Sequence, residues 1–323
     1  MEWSSVLRLF GAGCLALLAL LLYGTARARR GPWWRRLPAL LACLTAATWL
    51  WALNRWDLSS VWLRPLYPPL LALAAVLALG RPRAEARAQA AGRLRTAAAV
   101  VVALANLAVV ALLAPSLVAG LRGYLPPAGA LDLRSPLRGG HFFVVQGGSD
   151  LLTNHHVAAP AQRHAIDIVA VNRAGLSQRP IREGSLADYL AFGRSVVAPC
   201  DGTVRAVRDG LADRPAPNRS PTRPAGNHVV LRCGDALVLL AHLREGSVAP
   251  VLGDRLRAGD PIGEIGNSGN TTEPHLHLHA VRAPRLEDEG TLPDTLAPTA
   301  QAVPITIEGR YLVRGSRVPR PRS

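Results

Sequence analysis

Three histidines near the end of the chain, His275, His277 and His279, alternate with Leu276 and Leu278. Residues at i, i+2 and i+4 of a strand lie on one face, so the three imidazoles would share a face and the two leucines would point to the buried side. Neutral imidazole is a common zinc ligand, and a catalytic zinc site has three protein ligands and an open position for water. The spacing predicts a metal site, and a purely structural role for the histidines is the alternative.

Further imidazoles and one carboxylate lie upstream of this cluster. His242 is the one polar residue inside the apolar segment 239–243, where a core or edge role is the alternative. The segment 154–156, Asn-His-His, precedes Asp167, which begins the run Asp-Ile-Val-Ala-Val. Strands disfavour Asp, so we expect Asp167 to have a function. His141 and His228 are interpreted as residues at a strand edge and at a turn or rim.

The elements that would position these residues are short segments rich in Val and Leu, separated by turn pairs such as Asp-Gly. This pattern is typical of β-strands, and no helix-period segment of comparable length accompanies it. We therefore expect a predominantly antiparallel β domain over residues 141–285. The predicted strands are His141–Val145, Ile166–Val171, Ser195–Ala198, Thr203–Val207, His228–Arg232 and Ala236–Ala241.

Six motifs of this domain occur in the order found in one known family. They are Val-Ala-Pro-Cys-Asp-Gly-Thr-Val at 197–204, Gly-Asn-His-Val-Val at 226–230, Ala-His-Leu at 241–243, the pair Gly-Asp at 253 and Gly-Asp-Pro-Ile-Gly at 259, Gly-Asn-Ser-Gly-Asn at 266–270, and Pro-His-Leu-His at 274–277. The chain thereby resembles the LytM/lysostaphin-type zinc metallopeptidases over about residues 141–285. The resemblance implies one Zn²⁺ per chain, with Asp167 and His277 as ligands. It also implies that His242 and His275 flank the metal-bound water as catalytic residues.

The first histidine ligand departs from the usual family pattern. The family places it four residues before the aspartate, where this chain has Arg163, and arginine stays charged. His164 is three residues before Asp167, which in an extended segment puts the two on opposite faces. A variant of the family has Asn-x-His followed by Gln-x-x-Ala-x-Asp, and the match implies His156 as the ligand. His155 and His164 stay open as alternatives.

Two further pairs of residues are predicted to have specific roles in the domain, one in substrate contact and one in a disulfide. His279 and Asn267 are expected to contact substrate, with support of the metal site as the alternative for His279. Cys200 and Cys233 lie at strand ends in a domain expected outside the cytoplasm, where disulfides persist. We therefore predict a disulfide between them.

The first 122 residues differ in composition from the rest. All seven Trp lie between Trp3 and Trp62, and all nine His lie between His141 and His279. The apolar stretches near 6–22, 37–53, 61–79 and 96–121 approach the ~20 residues that cross a bilayer. We therefore expect an N-terminal bundle of four transmembrane helices (1–122), a Gly- and Pro-rich linker (123–140), the zinc peptidase domain (141–285) and a C-terminal extension (286–323).

Charge distribution predicts the orientation in the membrane. Residues 1–122 carry 14 Arg and three acidic residues, a net of +11 out of +15 for the whole chain, so the basic excess does not predict a nucleic-acid partner. The loops 27–36 and 81–95 hold most of these arginines, and positive loops stay cytoplasmic. The expected protein is a multi-pass membrane protein with its peptidase domain outside, cleaving peptide bonds of peptidoglycan stem peptides or cross-bridges. The alternatives are a non-catalytic regulator that binds wall or another hydrolase, and a zinc hydrolase of a small substrate.

Overall fold

The computed structural model describes residues 33–66, 68, 69, 71, 72, 76, 93–179, 185–282 and 300–321. The chain divides into two compact units, Met1–Leu121 and Arg122–Ser323. In the described part of the second unit, beyond the helix that ends at Arg122, the helices are three short 3-10 helices. The other helical segments with described bounds lie earlier in the chain. They are α1 (Trp33–Leu53), α2 (Trp56–Ser59), a 3-10 helix (Val61–Leu66) and α3 (Arg93–Arg122).

The expected bundle of four transmembrane helices is wrong. Among the described residues one helical stretch, Thr96–Arg122, is long and apolar enough to cross a membrane, with a mean hydropathy of 2.6. The apolar part of α1, Leu37–Leu53, is shorter. Length and composition alone make Thr96–Arg122 a weak indication of a membrane segment.

The third apolar stretch does not begin with an α-helix. The stretch expected at 61–79 begins with the 3-10 helix Val61–Leu66, which contains Pro65, and Pro68 and Pro69 follow. Proline has no N–H to donate and its ring clashes with the preceding turn. The stretch expected at 6–22 lies outside the described residues, as does part of 61–79.

The second unit confirms the expected antiparallel β domain, and its described strands form a main sheet of eight and a separate pair. The strands of these two sheets are β2 (His141–Gln146), β3 (Ile166–Val171), β4 (Ser195–Val197), β5 (Gly202–Arg208), β6 (Asn227–Cys233), β7 (Ala236–Leu243), β8 (Arg255–Leu256), β9 (Pro261–Glu264), β10 (Leu276–Arg282) and β11 (Gln301–Val303). Seven strands of the main sheet are hydrogen-bonded in the order β2-β3-β10-β7-β6-β5-β8, and β11 pairs with β10. The separate pair consists of β4 and β9.

The two faces of β10 have different neighbours. Leu276 and Leu278 are fully buried and belong to the main apolar core, together with Ile168 of β3 and Leu240 of β7. The intervening side chains alternate to the other face, which carries His277 and His279. The alternation expected for the histidine cluster is therefore present from Leu276 onward, and His275 lies just before the strand.

A small three-stranded sheet brings the two ends of the second unit together. Strand β1 (Leu131–Leu133) pairs in parallel with β12 (Ile305–Ile307), which pairs with β13 (Arg310–Tyr311). The segment expected as a linker thus contributes a strand, and so does the segment expected as an extension. Cys200 and Cys233, at the start of β5 and the end of β6, form a disulfide with Cα atoms 6.0 Å apart.

Candidate metal centre

Asp167 and His277 lie directly opposite each other on the neighbouring antiparallel strands β3 and β10. Nδ1 of His277 is 2.9 Å from Oδ1 of Asp167, and both residues are buried. Cross-strand partners on one face have Cβ atoms about 4.5–5.5 Å apart, so the pairing register itself brings imidazole and carboxylate into contact.

His156 reaches the same carboxylate from outside the sheet. It lies in the 3-10 helix His155–Ala158, and its Nε2 is 3.0 Å from Oδ2 of Asp167. Asn154 caps this helix because its Oδ1 accepts the N–H of His156. Its Nδ2 donates to the carbonyls of Gly148 and Ala165, each at 2.9 Å. Asn154 therefore fastens the loop of His156 to the chain just before β3.

The donor atoms around Asp167 fit a zinc ion. Nε2 of His156 and Nδ1 of His277 each contact an oxygen of Asp167, and two imidazoles with one carboxylate are a ligand set that zinc accepts. Another group of three, in which His155 replaces His277, has ligand atoms within 4.8 Å of one another. His277 is the better-placed donor, because it is buried and contacts Asp167 directly, whereas His155 is exposed and its ring packs on His156 at 4.0 Å.

His279 lies behind His277 rather than on the open side of the site. Its Nδ1 is 2.8 Å from Nε2 of His277, and the residue is 1% exposed. Among the described residues its Nε2 has no hydrogen-bond partner. A ligand imidazole is oriented by the bond that its second nitrogen makes, so this contact turns Nδ1 of His277 towards Asp167. This position is the one expected for a residue that supports the metal site, and that role of His279 stays a prediction.

His242 and His275 each have one ring nitrogen bound to a backbone carbonyl. Nδ1 of His242 is 2.9 Å from the carbonyl of Ser268, and Nδ1 of His275 is 2.8 Å from that of Glu273. A carbonyl only accepts, so both rings carry a proton on Nδ1 and, when neutral, have an unprotonated Nε2. Nε2 of His275 is 3.6 Å from Oδ1 of Asp167. The ring centroids of His242 and His275 are 4.9 Å apart. Two imidazoles with a free basic nitrogen thus border the metal-ligand group.

Burial favours the neutral form of His242, His277 and His279, and the interactions of Asp167 with neighbouring histidines favour its ionised form. Burial lowers the pKa of His277 to about 4, although its bond to Asp167 works in the opposite direction. Burial also lowers the pKa values of His242 and His279 well below their ordinary value. Burial would raise the pKa of Asp167, but its interactions with the adjacent His156 and His275 and its hydrogen bonds with His156 and His277 hold that pKa well below its usual range. Neutral imidazoles and an ionised carboxylate are the protonation states that metal binding requires.

Asn267, expected to contact substrate, is buried and used within the protein. Its Nδ2 donates to the carbonyl of Arg214, and its Oδ1 accepts from the hydroxyl of Thr271. The motif that contains it matters through the next residue, Ser268, whose carbonyl orients His242. The structure therefore gives Asn267 the role of holding the loop 266–270 in place.

A pocket of about 290 Å³ opens beside the site. His156, His242 and His277 are among the residues that line it. Small or apolar side chains form much of the remainder, including Ala158, Pro224, Ala225 and Leu239.

Several residues that position the site were not identified from sequence. Arg314 donates from its guanidinium to Oε1 of Gln146 and to the carbonyl of Thr153, which fixes the turn leading into His155. A lone arginine about 160 residues from its partners leaves no local pattern. Asn154 was detectable, because it is the first residue of the Asn-x-His motif.

Part of the chain matches a known protein family. Residues 187–287 match the model of peptidase family M23, which confirms over that range the resemblance expected from the six motifs. The match contains His242, His275 and His277 but not His156 or Asp167. No curated protein matches the sequence.

Similar solved structures include three peptidases. A peptidase M23 of Pseudomonas aeruginosa is 17% identical, with a TM-score of 0.28 over 48% of this chain and 46% of that one. A zinc-containing peptidase of Vibrio cholerae is 20% identical, with a TM-score of 0.28 over 48% and 37%. The catalytic domain of the antimicrobial peptidase lysostaphin from Staphylococcus simulans is 21% identical, with a TM-score of 0.22 over 40% and 86%. This chain thus spans less than half the length of the first two, and the fold described above rests on its own strand pairing.

Proposed function

We propose that this chain, whose residues 187–287 match peptidase family M23, is a zinc endopeptidase that hydrolyses peptide bonds of peptidoglycan outside the cytoplasmic membrane. One observation carries the proposal: Nε2 of His156 and Nδ1 of His277 contact the two carboxylate oxygens of Asp167, and the rings of His242 and His275 lie beside this group with their Nδ1 atoms bound to backbone carbonyls. Peptidoglycan as substrate follows from the resemblance to LytM/lysostaphin-type enzymes.

Three residues would hold the metal. His156 and His277 contribute neutral imidazoles, and Asp167 contributes the negative charge that offsets part of the charge of the cation. When bound, zinc acts as a Lewis acid that polarises the scissile carbonyl and lowers the pKa of a water molecule. One Zn²⁺ per chain is expected, because the described site has one such set of donors.

His275 and His242 would carry the proton transfers. A neutral imidazole with a free Nε2 can accept the proton of the attacking water, and in its protonated form it can donate to the developing oxyanion or to the leaving amine. His275 is the candidate base, since its Nε2 is 3.6 Å from Oδ1 of Asp167, one of the proposed ligands. The ring of His242 lies 4.9 Å from that of His275, with its Nδ1–H bound to the carbonyl of Ser268, and is the candidate for stabilising the oxyanion.

The described helix Thr96–Arg122 is the candidate anchor. Large apolar side chains on it are exposed, including Val101 (64%) and Leu112 (77%), and apolar surface of this kind favours lipid over water. Arg93 and Arg95 lie just before it. The second unit (Arg122–Ser323), called the β unit from here on, follows its end. Positive residues stay cytoplasmic, so the β unit would lie on the extracytoplasmic side.

Metal content and wall hydrolysis of the full-length chain in neutral detergent test this proposal. We expect one zinc per wild-type chain and loss of that zinc in His277→Ala, because a buried ligand is removed. We expect His275→Ala to keep the zinc and to lose hydrolysis of purified peptidoglycan by at least a hundredfold. His141→Ala, an exposed histidine on β2, is the matched control and should change neither value.

Two outcomes would overturn the proposal. Hydrolysis that persists in His275→Ala would exclude the acid–base role given to that residue. Wild-type protein that binds zinc yet never cleaves peptidoglycan, while it stimulates another hydrolase, would identify a regulator instead of an enzyme.

A further inference from the structure

The loop 211–226 between β5 and β6 carries three exposed arginines beside the pocket. They are Arg214, Arg219 and Arg223, and no carboxylate among the described residues pairs with any of them. Other arginines of the β unit do have partners, for example Arg244 with Glu264 and Arg282 with Asp235. The loop therefore presents positive charge that this part of the protein does not neutralise.

Hydrogen bonds hold the loop 211–226 against the segment 266–270 of the site. The side chain of Asn227 bonds both the N–H and the carbonyl of Leu211 at one end. The N–H of Ser220 donates to the carbonyl of Gly269 at 2.8 Å, and the N–H of Asn270 donates to the carbonyl of Pro224 at 2.9 Å. The loop thus runs alongside the segment 266–270 that orients His242.

The acidic residues at the start of the loop are used by the backbone. Oδ1 of Asp213 accepts the N–H of Asn267, and its Oδ2 accepts that of Glu245. Asp209 accepts the N–H groups of Gly246 and Val248 in the same way. These carboxylates secure the loop by bonding to neighbouring segments, whereas the arginines stay exposed.

Two of the arginines are next to residues of the pocket wall. Arg223 precedes Pro224, which lines the pocket, and Arg219 precedes Ser220, which bonds Gly269 beside the pocket residue Asn270. A guanidinium binds a carboxylate through two parallel hydrogen bonds, and such charge-assisted bonds are about twice as strong as neutral ones.

We propose that Arg219 and Arg223 bind a side-chain or terminal carboxylate of the substrate peptide and so make the site selective for acidic peptides. This inference rests on the proposed function, because it assumes that a peptide occupies the pocket. A carboxylate of that peptide is favoured over an anionic lipid because the loop is bonded to the segment that borders the pocket.

The test compares two forms of one substrate on the full-length chain. Soluble wall peptides are used with their carboxylates free or converted to amides, and kcat/KM is measured for wild type, R219Q/R223Q and the control R255Q/R257Q. Arg255 and Arg257 are also exposed, and β8 is the edge strand farthest from β3 and β10 in the sheet order. Both double variants lose two positive charges, so a general effect of charge would appear in both.

We expect R219Q/R223Q to lower kcat/KM on the free-carboxylate peptides roughly tenfold or more, through KM, and to leave the amidated peptides unchanged. R255Q/R257Q should match wild type on both forms. Equal losses on both forms, or no preference for free carboxylates in wild type, would overturn the inference.

Two further measurements separate this inference from its alternatives. Binding of the same peptides to full-length His275→Ala is followed without hydrolysis, so carboxylate-dependent binding upholds the inference even if wild type cleaves nothing and the proposed enzyme function fails. Vesicles containing phosphatidylglycerol are then added to the protein in phosphatidylcholine nanodiscs. Vesicle binding lost in R219Q/R223Q, with unchanged peptide kinetics, would identify a lipid surface as the partner and overturn the inference.

Discussion

His277 and Asp167 are register partners on adjacent antiparallel strands, with Nδ1 of the imidazole 2.9 Å from Oδ1 of the carboxylate. Sites built on strands hold their geometry better than sites on loops. Two of the three proposed zinc ligands are therefore positioned by the main sheet itself. The third, His156, is on a loop and depends on Asn154 for its position.

The identity of the first ligand is the most direct prediction. His156→Ala should lose stoichiometric zinc, because Nε2 of His156 is 3.0 Å from Asp167. His155→Ala should keep it, since that residue is exposed. His164→Ala should also keep it, because in the described part no hydrogen bond or ring contact joins His164 to the other site histidines. Zinc titration of the three variants measures this, and a loss in His155→Ala as large as in His156→Ala would assign the ligand to His155.

Asn154 should control both the stability and the metal affinity of the site. Asn154→Ala leaves the carbonyls of Gly148 and Ala165 without their donor, and unsatisfied buried groups cost about 1–3 kcal/mol each. We expect zinc affinity to fall at least tenfold, because the loop of His156 is released. Ser185→Ala, which removes the cap of the 3-10 helix Leu186–Asp188, is the control and should leave zinc affinity unchanged.

His279 should act through the orientation of His277. Its replacement by Phe removes the partner of Nε2 of His277, and loss of such a partner lowers metal affinity about 10–100-fold. His279→Gln offers an amide oxygen in place of the ring nitrogen and should restore most of the affinity. If His279→Phe and wild type bind zinc equally, the contact has no role in metal binding.

The stability of the metal-free β unit should fall as the pH falls below 6.5. The pKa of His277 is about 4 in the folded protein and about 6.5 when unfolded, so between these values the unfolded chain binds more protons. Stability present above pH 6.5 is then lost on acidification, by about 2 kcal/mol between pH 6.5 and 5 for His277 alone. The lowered pKa of His279 adds a loss in the same direction.

Amide hydrogen exchange in β10 at pH 7, 6 and 5 measures this effect. Tryptophan fluorescence is unsuitable because all seven Trp precede residue 63. His279→Gln should show a shallower pH dependence than wild type, whereas His141→Gln, a change at an exposed histidine, should show the wild-type slope. If the stability of β10 in wild type does not change between pH 7 and pH 5, the burial of neutral imidazoles does not make the stability depend on pH.

Removal of the disulfide should destabilise the β unit without emptying the site. Cys200 and Cys233 are 33 residues apart, and a cross-link of that span contributes about 2–4 kcal/mol. C200A/C233A should therefore show a lower denaturant midpoint and one zinc per chain. A double variant that folds normally but has lost its zinc would mean that the disulfide shapes the metal site.

The sequence by itself determined the strand pattern and the chemistry of the cluster. Leu276 and Leu278 alternate with His277 and His279, and this period of two requires one apolar and one polar face whatever the neighbours are. The six predicted strands between His141 and Ala241 are present because runs rich in Val and Leu between Gly and Asp turns admit few other structures. Hydropathy alone predicted four membrane segments, whereas among the described residues one helical stretch, Thr96–Arg122, is long and apolar enough to cross a membrane.

Only the tertiary structure decided which of these residues meet. His277 and Asp167 are 110 residues apart in the sequence. Their pairing follows from the strand register, which no local pattern encodes. The same holds for Asn267, which sequence placed at the substrate and which the fold buries beneath the loop 211–226. Contacts between segments distant in the chain depend on how the sheet assembles, so periodicity identifies the residues that face one side and cannot specify their partners.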